Sequence, residues 1–355
     1  FRGPFVLATT PPFFDDTISN WNLRGKVYFS EGRYALQLPT DQPDSAPGGI
    51  SGYPPLVPLE KAWLASMHGA WAEPLVNSVH VLWFLSACAI LWSLLRRFVS
   101  SSWALFGVYL LTSLPLYFMH GVNAYADVCL SAYIAAAMVL GAIGLMKTRE
   151  QNGSAFLRIS AVMAGMLAFI KNEGLLLYTT TFLLVMSVAL FLQWKKGTRL
   201  LPEIRNDFLL PFAASFALTS LPFLLFKVFH HLPFGNAKSA AGFALQWQPG
   251  TVFAILINTF FEGNWLLLFP LLIILLCWKR KRVARLPLAP IAAFLGILYF
   301  GQLFLFLFTF LSVEALLQTG YARGLLHLMP LMVMVVVILL ASLLEKKSAA
   351  SVNNE

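Results

Sequence analysis

Residues 124–146 read AYADVCLSAYIAAAMVLGAIGLM, a run in which Asp127 is the only charged residue. An apolar run of this length can cross a bilayer as a helix, because a helix rises about 1.5 Å per residue and the hydrocarbon core is about 30 Å thick. An ionisable group at the edge of such a run is costly unless it is paired or faces water. We therefore predict a transmembrane helix whose first turn carries an acid that needs a partner.

Runs of the same kind recur along the chain, and the composition agrees with them. Apolar residues make up 58% of the 355 residues and charged residues only 12%, whereas a soluble domain carries about 25% charged residues. A soluble monomer this apolar could not cover its surface with polar groups, which argues strongly against a soluble enzyme. We predict an all-α polytopic membrane protein with about nine spans, at residues 74–95, 102–119, 124–146, 155–171, 174–193, 208–229, 264–278, 287–312 and 324–344.

These spans divide the chain into parts. They are a first extracytoplasmic loop (1–73) with an acidic motif, a transmembrane bundle (74–345), an extracytoplasmic loop within it (230–263) and a cytoplasmic tail (346–355). The stretch 251–261 is apolar on one side and short, which predicts an interfacial helix. The chain begins with Phe1 rather than Met, and no spanning run precedes residue 70. We expect that a first spanning helix is missing from the sequence.

The basic residues set the orientation of this map. Most Lys and Arg residues, including Arg96-Arg97 and the run Lys279–Arg282, follow the first, third, fifth, seventh and ninth spans. By the positive-inside rule that side is cytoplasmic, and the other side, which carries most of the acids, is extracytoplasmic. The net charge of +9 therefore reports orientation in the membrane, and we predict no nucleic-acid partner.

Four polar groups fall on the extracytoplasmic side, and each has an ordinary structural explanation beside a functional one. An acidic pair can be a solvated loop, a helix cap or a general base, and an acid at a helix start can complement the helix dipole. A Lys–Glu turn and an Arg at a span edge can be a surface pair and a snorkelling side chain, or a clamp for a lipid phosphate. The groups are Asp15-Asp16 with Trp21 and Lys26, Tyr125 with Asp127, Lys171-Asn172-Glu173-Gly174, and Arg323 with His327.

Signals for other chemistries are absent from the sequence. It contains no GxxxxGK[ST], GxGxxG or GxSxG motif, which argues against ATP-driven transport by this chain. Its three cysteines lie inside apolar runs, and His68 and His230-His231 have no partner at ligand spacing, so we predict neither a disulfide nor a metal site. No cofactor is predicted, and a divalent metal has no dedicated ligand set.

In this order, the four groups resemble the motifs of the GT-C superfamily of membrane glycosyltransferases, in particular the bacterial members similar to protein O-mannosyltransferases and aminoarabinose transferases. The stretch Asp15–Lys26 resembles the W-D-A-x-x-x-W-x-x-K-A-K motif, with Asp16 at the position of the family's Asp. Tyr53-Pro54-Pro55-Leu56 resembles Y-P-x-L, and Tyr125-Ala126-Asp127 resembles Y-A-D. The Lys171–Gly174 turn is similar to K-N-E-G, and Thr319–Arg323 with Pro330 is similar to T-S-x-x-R…P. The resemblance covers roughly residues 12–335 and implies a GT-C bundle with an outer-face loop region.

The resemblance also implies an activity, a partner and a location. Such enzymes transfer a sugar from a polyprenyl-phosphate donor to a glycan, lipid or protein acceptor on the outer face of a membrane, here the bacterial inner membrane. It implies that Asp16 is the general base, that Asp127 orients acceptor or sugar, and that Lys171 and Arg323 hold the donor phosphate. The other residues expected at the substrates are Asp15, Trp21, Lys26, Tyr53, Tyr125, Glu173 and His327.

Two other classes of function stay open at this point. A transporter or flippase for a lipid-linked or anionic substrate would favour ionisable groups and broken helices near the bilayer midplane, together with an internal repeat. The sequence instead places its acids at the outer ends of the spans and has no convincing repeat. A non-enzymatic membrane subunit would tolerate changes of the outer-loop acids.

Overall fold

The computed structural model describes residues 2–9, 16–36, 52–147, 153–195, 209–235 and 245–352, with side chains up to residue 344 in the last range. Every regular element in these ranges is helical, as the apolar periodicity predicts. The helices are α1 (Arg2–Thr9), α2 (Leu23–Glu31), α3 (Leu56–His68), α4 (Glu73–Leu95), α5 (Ser101–Ser113), α6 (Pro115–Val122), α7 (Asp127–Met146), α8 (Gly153–Ile170), α9 (Thr180–Lys195), α10 (Leu210–Phe229), α11 (Thr251–Leu256), α12 (Leu268–Trp278), α13 (Arg280–Val283), α14 (Leu288–Phe308), α15 (Ser312–Leu316), α16 (Gly320–Leu326) and α17 (Met329–Val352). π-helical turns precede α2 (Thr17–Asn22) and α9 (Gly174–Thr179) and follow α11 (Ile257–Phe261).

Eight of the predicted spans correspond to long apolar helices or to bent helix pairs. Six helices are long and apolar enough to cross a membrane: α4, α7, α8, α9 with its π-helical turn, α10 and α14. Two further spans are bent pairs, α5 with α6 at 76° and α16 with α17 at 49°. Pro115 lies at the first bend and Pro330 just beyond the second, which fits the backbone restrictions that proline imposes.

The ninth predicted span, 264–278, is not confirmed at full length. In the structure α12 has only 11 residues, so it is about 16 Å long, roughly half the thickness of the hydrocarbon core. Gly263 and Leu266 have positive φ angles, and this turn separates α12 from the π-helical turn Ile257–Phe261. The described residues therefore contain six to eight full spans rather than nine.

The centre of the bundle is formed by α7 and by the first half of α17. Almost all of the spanning window of α7 is buried inside the protein, and so is each residue from Leu328 to Leu339. By contrast, α9 and α10 expose most of their apolar surface, which suits helices that face lipid. A helix as enclosed as α7 holds its first residue, Asp127, in a fixed place.

Contacts between helix ends agree with the charge alternation of the sequence. Gln193 at the end of α9 donates a hydrogen bond to the carbonyl oxygen of Leu145 at the end of α7, at 3.0 Å. The Arg97 guanidinium lies 4.9 Å from the centre of the Phe156 ring in the first turn of α8. Each pair joins segments that the charge map assigns to the same side. This end of the bundle, called the basic end below, is opposite the end that holds Asp127.

The segment predicted as a first extracytoplasmic loop contains several short helices where it is described. Helix α1 packs against α4 and α6, while α2 and α3 pack against each other. A small apolar cluster of Val27, Tyr28, Ala35 and Ala62 joins α2 and α3. These helices lie at the Asp127 end and carry Asp16, the first residue before a π-helical turn, into the bundle.

The two ends should be accessible from opposite sides of the membrane. In a cysteine-free background, we expect Lys281→Cys and Arg158→Cys to react with an impermeant maleimide only from the cytoplasmic side. Met67→Cys and Val313→Cys should react only from the other side, because all four side chains are exposed at their respective ends. Labelling of Lys281→Cys and Met67→Cys from the same side of sealed vesicles would contradict this topology.

Candidate functional site

The carboxylate of Asp127 is completely buried and has four cationic or imidazole partners. Its Oδ1 accepts hydrogen bonds from Lys171 Nζ at 2.8 Å and from His327 Nε2 at 2.7 Å. Its Oδ2 accepts from Arg323 Nη2 at 3.3 Å and lies 3.1 Å from His120 Nδ1. An ionised carboxylate only accepts, so both imidazoles present an N–H to it. Four donors use the acceptor capacity of the carboxylate fully.

The four donors come from four different segments of the chain. His120 lies in α6, which the bend after α5 turns towards Asp127, and Lys171 lies in the break after α8. Arg323 lies in α16 and His327 at the bend before α17. A buried carboxylate without partners would cost several kcal/mol, so these contacts tie the four segments together. The bends in the two helix pairs thus have an identifiable role at the site.

Arg323 links the buried acid to an accessible one. Its Nη1 donates to Asp16 Oδ2 at 2.6 Å, while its Nη2 reaches Asp127. The side chain of Asp16 is 38% exposed and that of Asp127 is 0% exposed. The guanidinium also lies 4.9 Å from the centre of the Tyr125 ring, a cation–π contact. Asp16 is therefore the carboxylate of this cluster that a substrate can reach.

Glu173 and Tyr53 complete the polar lining next to Arg323. Burial alone would raise the pKa of Glu173. The positive charge of Lys171 and a backbone hydrogen bond, with a smaller contribution from Arg323, outweigh burial and hold this pKa below its usual value. Glu173 Oε2 is buried and has no hydrogen-bond partner in the described part of the chain. Burial, with the nearby charges of Glu173 and Asp16, raises the pKa of Tyr53, so its hydroxyl stays protonated. Both side chains thus add a polar group to the wall of the cluster beside Arg323.

A buried arginine fixes the turn that carries Asp16. Arg24 donates to the carbonyl oxygens of Tyr53 at 2.7 Å and Pro54 at 3.2 Å, and to Asn20 Oδ1 at 3.3 Å. Trp21 is also buried, and its ring meets that of Tyr53 edge-on at 6.3 Å. These contacts connect the Asp16 turn to the Tyr-Pro-Pro segment that the sequence resemblance associates with it.

A buried lysine connects the same turn to α4. Lys61 Nζ donates to Asn22 Oδ1 at 2.6 Å and to Asn77 Oδ1 at 3.0 Å, and its side chain is fully buried. Burial lowers the pKa of Lys61 to about 7, although the charges of Glu73 and Glu60 act in the opposite direction. Lys61 acts on Asp16 only through the position of the π-helical turn.

The structure brings most of the predicted site residues together. The residues gathered at or next to the cluster are Asp16, Trp21, Tyr53, Tyr125, Asp127, Lys171, Glu173, Arg323 and His327. The side chain of Lys26 is exposed on α2 and makes no contact with the cluster. Asp15 lies outside the described residues. Within the described ranges, no group of three His, Cys, Asp or Glu side chains is arranged to hold a metal ion.

Several residues of the cluster were not predicted from the sequence. His120 contacts Asp127 directly, and Tyr178 hydroxyl lies 2.8 Å from His327 Nδ1 and in turn accepts from Gln302 Nε2 at 3.3 Å. Both Tyr178 and Gln302 lie within apolar spans, where a single polar residue is an unspecific signal. His120 lies seven residues before Asp127, at the end of a predicted span, and this position could have drawn attention to it.

Comparisons with known proteins identify the fold. No protein-family model matches the chain, and no curated protein sequence matches it significantly. Among solved structures, it is similar to ArnT from Cupriavidus metallidurans bound to undecaprenyl phosphate, with a TM-score of 0.64 at 14% identity over 96% of this chain. The same ArnT in the apo state gives a TM-score of 0.64 at 13% identity over 96% of this chain. The present chain spans 58% and 57% of those ArnT chains.

This likeness is one of fold. The chain has the helical fold of ArnT, an aminoarabinose-transferase-like bundle of the kind that its motifs led us to expect. Because the sequence identity is low, the likeness does not carry over an activity.

Replacement of Lys61 should change how stability depends on pH. Because the pKa of Lys61 in the folded protein is about 7, the unfolded chain binds a proton at this side chain between pH 7 and its ordinary pKa that the folded chain does not. The folded state therefore gains stability as pH rises through this window. We expect the melting temperature in detergent to rise less from pH 7 to pH 9 in Lys61→Met than in the wild type.

The exposed Lys26 provides the matched control for this experiment. Lys26→Met removes the same functional group one helix away and should leave the pH dependence of melting unchanged. Parallel melting curves for wild type and Lys61→Met across this pH range would refute the assignment.

Proposed function

We propose that this protein is a glycosyltransferase that moves a sugar from a polyprenyl-phosphate donor to an acceptor at the Asp127 end of the bundle. The single observation that carries the proposal is the bridge of Arg323 between a partly exposed carboxylate, Asp16, and a fully buried one, Asp127. It unites a base that substrates can reach with cations suited to a phosphate, on the fold of ArnT. That one ArnT structure holds undecaprenyl phosphate supports this class of donor.

The reaction is a single displacement at the anomeric carbon of the donor sugar. The acceptor hydroxyl or amine attacks this carbon while the bond from the carbon to the phosphate oxygen breaks. A new glycosidic bond forms, and polyprenyl phosphate leaves with the bonding electron pair. The proton of the acceptor passes to Asp16, which needs to be within about 3 Å of that proton's oxygen or nitrogen. Asp16 is the member of the cluster that has both the basic oxygen and the exposure for this step.

Arg323 makes proton transfer to Asp16 follow the binding of the donor. Its Nη1 donates to Asp16 Oδ2, so this oxygen is occupied by the guanidinium for as long as the ion pair is kept. A donor phosphate that binds Arg323 competes with Asp16 for the guanidinium and so releases the carboxylate to act as a base. The arginine then faces the oxygen on which negative charge develops as the bond breaks. The base thus becomes fully active when the donor is in place.

Asp127 and Lys171 position the reacting groups rather than take part in proton transfer. The carboxylate of Asp127 is saturated by donors and closed to solvent, so no acceptor proton can reach it. Its charge holds Lys171 and Arg323 at the site. Lys171 Nζ donates one hydrogen bond to Asp127. A lysine ammonium has three hydrogens, so the others can be donated to a phosphate.

On the topology expected from the basic residues, the proposed reaction takes place at the extracytoplasmic face, and the family resemblance is the reason to propose the bacterial inner membrane. The acceptor is a glycan, a lipid or a protein exposed there. In this scheme Arg323 and Lys171 supply the positive charge at the leaving phosphate.

Asp16→Asn should abolish transfer while the protein still folds and binds donor. The amide cannot take the acceptor proton, and loss of a general base costs about 10²- to 10⁴-fold in rate. Turnover of a panel of polyprenyl-phosphate sugars by purified protein, followed by mass spectrometry of the acceptor fraction, measures the effect.

The matched control for the base is Glu31, at the end of the helix that follows the Asp16 turn. Glu31→Gln makes the same change from carboxylate to amide and should keep wild-type turnover, because this side chain is exposed and pairs with Arg33. Turnover by Asp16→Asn at the wild-type rate would rule out Asp16 as the base.

Arg323→Lys should weaken the donor more than the acceptor. The lysine retains the charge that balances Asp127 but loses the second donor of the guanidinium fork. A hydrogen bond to a charged group contributes about 1.5–3 kcal/mol, so we expect a loss of about ten- to a hundredfold in donor affinity. Binding of donor and acceptor, each titrated separately, provides the comparison, and an equal loss for both would contradict the phosphate role.

A further inference from the structure

A second polar feature lies at the basic end of the bundle, far from the Asp127 cluster. A cavity of about 590 Å³ opens there between the α12–α14 connection, the chain after α4, and α17. Its apolar lining comes from Phe98, Trp278, Leu286, Leu288 and Ile338. The rest of its wall is formed by Lys279, Arg280, Lys281, Arg282, Arg285, Pro287 and Ser342. Five of the twelve lining side chains are therefore cations.

The positive charge of this cavity has no neutralising carboxylate among the side chains that the structure describes. In the described part of the chain, none of the five cations has a carboxylate within ion-pair distance. The sequence has no acidic residue between Glu262 and Glu314. Five like charges within seven residues repel each other, and an anion in the cavity would relieve this repulsion.

The cations are nevertheless held in an ordered arrangement. Backbone hydrogen bonds run from Arg282 and Val283 to the carbonyl oxygen of Lys279, and from Ala289 to that of Arg285. These bonds fix α13 and the turn that leads to α14. The cations therefore converge on the cavity without needing a ligand to order the backbone.

The surroundings of the cavity favour a lipid over a soluble anion. Trp278 is 68% exposed at its rim, and Ile273 and Ile274 are exposed on α12 directly above it. Exposed apolar side chains on a short membrane helix face acyl chains, and a tryptophan beside cations is typical of the headgroup region. The site can therefore contact a phosphate group and the neighbouring acyl chains of one lipid molecule.

We propose that this cavity binds the phosphate headgroup of one anionic phospholipid, whose acyl chains lie along the outer face of α12. Arg280 and Arg282 provide forked donors for the phosphate oxygens. The lipid belongs to the leaflet opposite the proposed catalytic face, so it is neither donor nor acceptor of the proposed reaction. The inference does not depend on the proposed function.

A lipid at this position would stabilise the packing of α12–α14 against α17. Ile338 and Ser342 contribute the α17 side of the cavity. The same helix begins two residues after His327, next to the Asp127 cluster. By helical rise, this start lies about 20 Å from Ser342. Because the intervening residues are almost fully buried, we expect the lipid to increase the thermal stability of the whole bundle.

Titration of purified protein in a neutral detergent tests the proposal. Native mass spectrometry and melting temperature are followed with added phosphatidylglycerol, phosphatidylcholine or inorganic pyrophosphate. We expect one saturable phosphatidylglycerol per chain, a higher melting temperature with it, and neither effect with phosphatidylcholine or pyrophosphate. Arg280→Gln/Arg282→Gln should lose about tenfold or more in phosphatidylglycerol affinity, since each cation near an anionic headgroup contributes about 1 kcal/mol.

Arg158→Gln/Lys195→Gln serves as the control, because it removes two exposed cations from the same end of the bundle but outside the cavity. It should bind phosphatidylglycerol as the wild type does. Equal affinity for phosphatidylcholine and phosphatidylglycerol, or full binding by the Arg280/Arg282 variant, would overturn the proposal. Stabilisation by pyrophosphate equal to that by phosphatidylglycerol would show that the site takes a soluble anion and would also overturn it. Since both arginines are exposed, the variant should fold, which its melting without lipid verifies.

Discussion

The buried charge of Asp127 is the constraint on which the arrangement of the helices depends. An ionised carboxylate at the start of a membrane helix is stable only if cations and N–H groups surround it. Here the partners come from α6, the α8–α9 break, α16 and the bend before α17. Closing the bundle and assembling the site are therefore the same event. A helix that moved away would leave a charge unpaired in a medium that solvates it poorly.

Three of the four partners of Asp127 could be predicted from the sequence as residues of the same end of the bundle, although not as its partners. Lys171, Arg323 and His327 stand in short polar groups at the edges of apolar runs, so their position at one end of the bundle follows from topology alone. His120 lies directly after an apolar run and Tyr178 inside one, and only the bend after α5 and the packing of α9 bring them to the cluster. Their roles depend on tertiary structure, which the apolar runs of the sequence do not reveal.

The lengths of the helices show the same limit of prediction from sequence. Long apolar runs predicted α4, α7, α8, α10 and α14 closely, because the bilayer requires a certain helix length. The run at 264–278 yields only the 11 residues of α12, since the turn at Gly263–Leu266 uses the first part of it. Hydropathy measures how apolar a segment is and does not detect a turn made of apolar residues such as Leu266. Short helices of the first 73 residues depend on contacts with α4 and α3 and have no periodic signal of their own.

Two carboxylates joined by one arginine are given different chemistry by their surroundings. Asp127 lies in a closed environment with every lone pair occupied, so it serves to hold the cations in place. Asp16 shares one Nη of the same arginine and stays partly open to solvent, so its partner can be exchanged. A donor phosphate need only replace the exposed half of this bridge, since the buried half retains the arginine at the site. The division between a fixed and an exchangeable acid follows from burial alone, and burial in turn follows from the placement of Asp127 on the most enclosed helix of the bundle.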